Sequence, residues 1–137
     1  MTFKEAVASG WANKMEFTGR SRRSAFWFWY LFQGLVITAF VLVAIGVFAG
    51  AAALRSSNET LGTIVMVVGI ILAIAMGVLS IILFIGTVAV AIRRLHDRGQ
   101  SGLFLLLYLV PFGNIVVLVF LLLPGMPTDN QYGPVPS

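Results

Sequence analysis

Polar and apolar positions in this chain separate into long blocks instead of alternating with a short period. Lys, Arg, Asp and Glu are missing from Ser24 to Leu54, from Thr60 to Ile92 and from Gly99 to Thr128. Each block exceeds the ~20 apolar residues that cross a ~30 Å hydrocarbon core. The pattern predicts an all-α membrane protein forming a single membrane domain over residues 1–137. Its first two spans, 24–54 and 57–94, form a long transmembrane hairpin. As helices the first two charge-free blocks measure about 46 and 50 Å at about 1.5 Å per residue, more than the hydrocarbon thickness. The Ala/Gly-rich tip around Ala49 to Gly62 is therefore expected outside the core, and Ser56 with Glu59 has the spacing of a capping box that starts the second helix. Small residues recur four apart at Gly46 and Gly50 and at Gly69, Ala73 and Gly77, a spacing that lets helix backbones approach.

Residues 103–123 are just long enough for one crossing and predict a third transmembrane helix, kinked at Pro111, where the missing N–H frees a carbonyl. A break of a full turn there would instead leave two halves fit only for a re-entrant loop. The segment 124–137, with Pro124, Pro127, Pro134 and Pro136, reads as an irregular tail. At the other end, Phe3, Val7, Trp11 and Met15 stand four apart, and residues 3–16 predict a short helix lying in the membrane interface.

Composition strengthens the membrane reading. Apolar residues make up 59% and charged residues 10% of the chain, with a mean hydropathy of +0.98, whereas soluble domains carry about a quarter charged residues. From Ala25 to Phe48 the first apolar core is too long for the about 7 to 15 residues of a cleaved signal peptide, so it is expected to be a retained anchor. Nine Lys and Arg against five Asp and Glu give a net charge of +4. These basic residues flank apolar spans, which marks a cytoplasmic membrane face and not a nucleic-acid surface. The topology that follows places Lys4, Lys14, Arg20, Arg22, Arg23, Arg93, Arg94 and Arg98 inside and only Arg55 outside, with the N-terminus cytoplasmic. Phe26, Trp27, Phe28, Trp29 and Tyr30 follow the first arginines as a headgroup-level aromatic belt.

Candidate chemistry is sparse. One His and no Cys leave too few ligands for a zinc site, and His96 beside Asp97 has no nucleophile near it in sequence. No enzyme activity, metal or cofactor is expected. Asp97 is expected to pair with Arg93, Arg94 or Arg98. No Asp, Glu, Lys or Arg lies within the charge-free blocks of the three spans, which argues against ion pumping.

Three motifs stand in order between the spans: Phe17-Thr-Gly-Arg-Ser-Arg-Arg-Ser-Ala-Phe-Trp27, Arg93-Arg-Leu-His-Asp-Arg-Gly-Gln-Ser-Gly102, and Pro124-Gly-Met-Pro-Thr-Asp-Asn-Gln-Tyr-Gly-Pro134. Together they resemble the bacterial inner-membrane family called domain of unknown function 805. The resemblance runs from about residue 13 to the C-terminus and is most specific at Arg-Arg-Leu-His-Asp with its following Ser-Gly. It carries over motif roles to Gly19, Arg20, Arg22, Phe26, Trp27, Arg93, Arg94, His96, Asp97, Gly99, Ser101, Gly102, Asn130, Tyr132 and Gly133. Where the family has Trp after Ser-Gly, this chain has Leu103 and Phe104, which keep apolar bulk without an indole donor. The resemblance implies a multi-pass protein of the bacterial inner membrane and supplies no activity. The expected partners are the bilayer and its anionic lipids, bound by Arg20, Arg22, Arg23, Arg93, Arg94 and Arg98, and a second copy or another membrane protein. The reading that follows is a structural or interaction protein, with a channel or transporter component for a small solute as the alternative.

Overall fold

The computed structural model describes residues 1–136. Those residues form four α-helices and one 3-10 helix, with no strand among them: α1 (Phe3–Ala12), α2 (Arg23–Ser57), α3 (Glu59–Asp97), the 3-10 helix Gly102–Leu109, and α4 (Gly113–Leu122). No proline precedes Pro111, so nothing interrupts the ladders of α2 and α3. At about 1.5 Å per residue they are about 52 and 58 Å long, enough to cross a bilayer. Only 6% and 11% of their most apolar stretches are buried inside the molecule. The core helix of a soluble protein would have covered that surface.

The chain divides into two compact units, Gln33–Leu83 and the remainder. In the first, the end of α2 and the start of α3 pair through a turn at Asn58. The expected Ser56/Glu59 capping box does not form. Asn58 caps α3 instead, accepting from Leu61 N at 3.0 Å, while Ser56 Oγ bonds back to the Ala53 carbonyl at 2.6 Å. Gly69 is a real close approach, since a Cβ there would lie 2.8 Å from Val47 Cγ1, whereas Gly46, Gly50 and Gly77 face open space.

In the second unit, Trp29 is the apolar hub and is fully buried. Its indole N–H donates to Thr87 Oγ1 at 3.0 Å. The ring lies on Gly10 of α1 and Gly86 of α3, where an added Cβ would come within 2.2 and 2.7 Å of it. α1 starts with a complete capping box between Thr2 and Glu5 and stops at Asn13, so the helix is shorter than the expected 3–16 and Met15 lies beyond it. Its buried face is Ala6 and Gly10.

The single kinked helix expected over 103–123 forms as two short helices. Pro111 restricts the residue before it to extended backbone, and Val110 sits at φ −105°, ψ 138°. Phe112 then turns left-handed at φ 63°, and Gly113 nests so tightly that a Cβ would lie 1.8 Å from the Leu107 carbonyl oxygen. The helices fold against each other, with the Phe104 and Phe120 rings 5.4 Å apart.

Candidate functional site

The second unit gathers all three motifs around the end of α3. Gly99, left-handed at φ 71°, ends that helix, and Ser101 caps the 3-10 helix by accepting from Leu103 N. Gly102 seats against Ile92, which a Cβ would approach to 2.8 Å. The chain then returns through α4 to deliver the tail to the same place.

Asp97 is the centre. Arg20 donates from Nε to Asp97 Oδ1 at 3.0 Å, and Arg94 bonds the other carboxylate oxygen, Oδ2. All ion pairs among the described residues converge on this carboxylate. Of the partners expected for Asp97, Arg94 pairs with it, Arg93 and Arg98 do not, and Arg20 comes from 77 residues away. Gly125 is why the tail can approach, because a Cβ there would lie 1.9 Å from Asp97 Oδ2.

The remaining guanidinium donors go mostly to backbone carbonyls. Arg20 also binds the Thr128, Gly133 and Met126 oxygens at 2.9, 3.2 and 2.8 Å. Arg94 donates to Leu121 and Leu123 at the end of α4, and Arg23 to Leu122 at 3.3 Å. Arg98 reaches the Pro124 carbonyl at 2.6 Å, Arg22 reaches Pro136 at 3.3 Å, and Arg93 reaches Asn13 at 3.3 Å. Carbonyls left over at a helix C-terminus need donors, and cations there also oppose the macrodipole favourably.

His96 lies flat on Tyr132, ring centroids 3.8 Å apart, with Nδ1 3.1 Å from the Gly19 carbonyl. Asn130 donates to the His96 carbonyl at 2.9 Å and accepts from Tyr132 N. Gly19 and Gly133 both take positive φ. These contacts hold the His96 ring and backbone in place, and no cluster of metal-binding side chains occurs among the described residues. Glu16, on the exposed loop before the first motif, is held below the usual carboxylate range by Thr18, whose hydroxyl and amide donate to it.

The aromatic belt divides. Phe26 and Trp29 are buried while Tyr30 is 55% exposed. Two buried donors, Trp27 Nε1 and Arg98 Nε, have no partner among the described residues. Beside Arg23 an open groove of about 480 Å³ is lined by Ser24, Trp27, Phe28 and Leu122. Sequence reasoning missed Trp29 as a hub and Gly125 as the approach point. The Pro-Gly step at the end of an apolar block was the available signal for the second.

Two bare apolar helices of spanning length, joined to a polar knot of arginines, define a helical membrane protein. Residues 14–134 match the family described as "Protein of unknown function (DUF805)", and the chain belongs to that family. Among its relatives in Escherichia coli (strain K12), inner membrane protein YhaI is 33% identical over 130 residues, covering 91% of this chain and 89% of that protein. Inner membrane protein YhaH from the same strain is 33% identical over 126 residues, covering 91% and 90%. No solved structure matches the chain.

Proposed function

We propose that this is a non-enzymatic structural or interaction protein of the bacterial inner membrane, with its N-terminus and arginine cluster on the cytoplasmic side, where the cluster holds anionic lipid headgroups. One observation carries this reading. Of the six motif arginines, Arg20 and Arg94 share the one carboxylate of Asp97, while Arg22, Arg23, Arg93 and Arg98 are held by backbone carbonyls with no carboxylate paired to them among the described residues. Carbonyls satisfy their donors without cancelling their charge, and headgroup phosphates do cancel it, at about 1 kcal/mol per basic residue near the surface. Arg23 is exposed and Arg22 half-buried, and the groove beside Arg23 has a cationic mouth over an apolar floor, which suits an amphipathic lipid.

In the same reading α1 lies in the interface. Its exposed Phe3 and Trp11 border an apolar groove of about 650 Å³ with Lys4 among its lining residues. The solute-pathway alternative needs a wet cavity at the Pro111 to Asn114 break, and Gly113 packed against Leu107 gives it no support.

The test is native mass spectrometry of protein purified with phosphatidylglycerol. Changing Arg22 and Arg23 to Gln lowers retained anionic lipid, and changing both to Lys lowers it less, because Lys keeps charge without the planar fork. Unchanged occupancy in the Gln variant would reduce these arginines to signals for insertion orientation.

A further inference from the structure

The apolar segment between Gly102 and Leu123 enters and leaves at one level. Its start is pinned by Gly102 on Ile92 of α3. Its end is pinned by Arg94 and Arg23 on the Leu121, Leu122 and Leu123 carbonyls. Ile92 stands two residues before Arg94 in α3, so both pins lie at one end of that helix. Between them the 3-10 helix has 8 residues and α4 has 10. At about 2.0 and 1.5 Å per residue these arms are about 16 and 15 Å long, each half of a ~30 Å hydrocarbon core.

The arms carry no charge, and their tip is bare: Leu109 is 82% and Phe112 80% exposed. The turn satisfies backbone groups internally, Val110 N donating to Leu107 O, Gly113 N to Val110 O and Ile115 N to Phe112 O. Non-helical backbone needs such bonds where water is absent. Exposure of the same kind occurs on Leu31 of α2 and Phe84 of α3, at 51% and 61%.

We infer that residues 102–123 form a re-entrant hairpin whose occupant is the acyl region of one leaflet, and that the tail 124–136 therefore emerges on the same side as the N-terminus. Half-core length, a chargeless bare tip and arginine contacts at the base of α4 select lipid over a water-facing cap. The inference uses the proposed function only for the statement that this side is cytoplasmic.

The chain has no cysteine, so single-Cys variants of the full-length protein report position directly. Met15→Cys, Ser56→Cys and Gln131→Cys are exposed sites before α2, at the end of α2 and in the tail. Each variant is treated with a membrane-impermeant maleimide in right-side-out and in inside-out vesicles. Gln131→Cys labels in the same vesicles as Met15→Cys and loses labelling where Ser56→Cys is labelled. Leu109→Cys carrying a nitroxide relaxes with oxygen, which partitions into the bilayer, and not with a water-soluble nickel chelate. Gln131→Cys labelling together with Ser56→Cys would overturn the hairpin in favour of a third span, and a chelate-accessible Leu109→Cys nitroxide would overturn its lipid burial. If Met15 and Gln131 share a side but that side is periplasmic, the hairpin stands and the proposed cytoplasmic orientation falls.

Discussion

Arg20 uses all three guanidinium nitrogens, on one carboxylate and three carbonyls. A lysine there keeps the charge but cannot span those acceptors. Arg20→Lys is expected to free the tail, read as faster hydrogen exchange at the Met126 amide, which in the native protein donates to the Asp97 carbonyl at 2.8 Å. Asp97→Asn removes the one carboxylate from two buried guanidinium groups. Breaking a buried pair from one side costs about 3–5 kcal/mol, so its thermal unfolding in detergent should fall well below that of the parent, and an unchanged midpoint would mean that the cluster is not a structural centre. The motif residues of this site were legible in the sequence; their partners were not. Most acceptors are main-chain carbonyls, which every residue possesses and no motif announces. Spacing alone therefore handed the surplus arginines to external anions, whereas Arg20 and Arg94 are largely satisfied within the protein.

At the scale of elements, α2 and α3, the two long apolar helices, follow from the absence of charge and proline. Residues 103–123 differed because Pro111 acts with both its neighbours: extended Val110, left-handed Phe112 and the Gly113 contact convert a kink into a reversal. Proline alone, read as a lost donor, does not carry that information. Gly113→Val should splay the two short helices, seen as loss of a distance-filtered contact between spin labels on Leu106→Cys and Leu118→Cys. In α3, Gly86→Ala drives a methyl into Trp29, and overpacking of this kind costs about 1–3 kcal/mol, measurable as a lower unfolding temperature. α1 depends on its capping box, in which Glu5 accepts from the Thr2 amide at 2.8 Å. That bond lowers the Glu5 carboxyl below its ordinary value. A lowered carboxylate pKa contributes stability that is complete above the ordinary value and is lost as pH falls through the lowered one. Circular dichroism should show α1 loosening on that acid side, and Glu5→Gln should flatten the response.

Across the whole chain, Arg20 precedes its tail acceptors by 106 to 113 residues. That separation sets an order in time. During synthesis both long helices and the apolar hairpin emerge before Met126, Thr128 and Gly133 exist, so the Arg20 guanidinium passes through a period in which its later partners are not yet made. Asp97 arrives first of them and the carbonyls last. Until then its remaining donors need other acceptors, and the tail replaces them when it closes over the guanidinium. The tail is thus the segment that completes the knot, and a chain cut after Leu123 would lack the carbonyl partners of Arg20, Arg22 and Arg98 while keeping those of Arg23, Arg93 and Arg94.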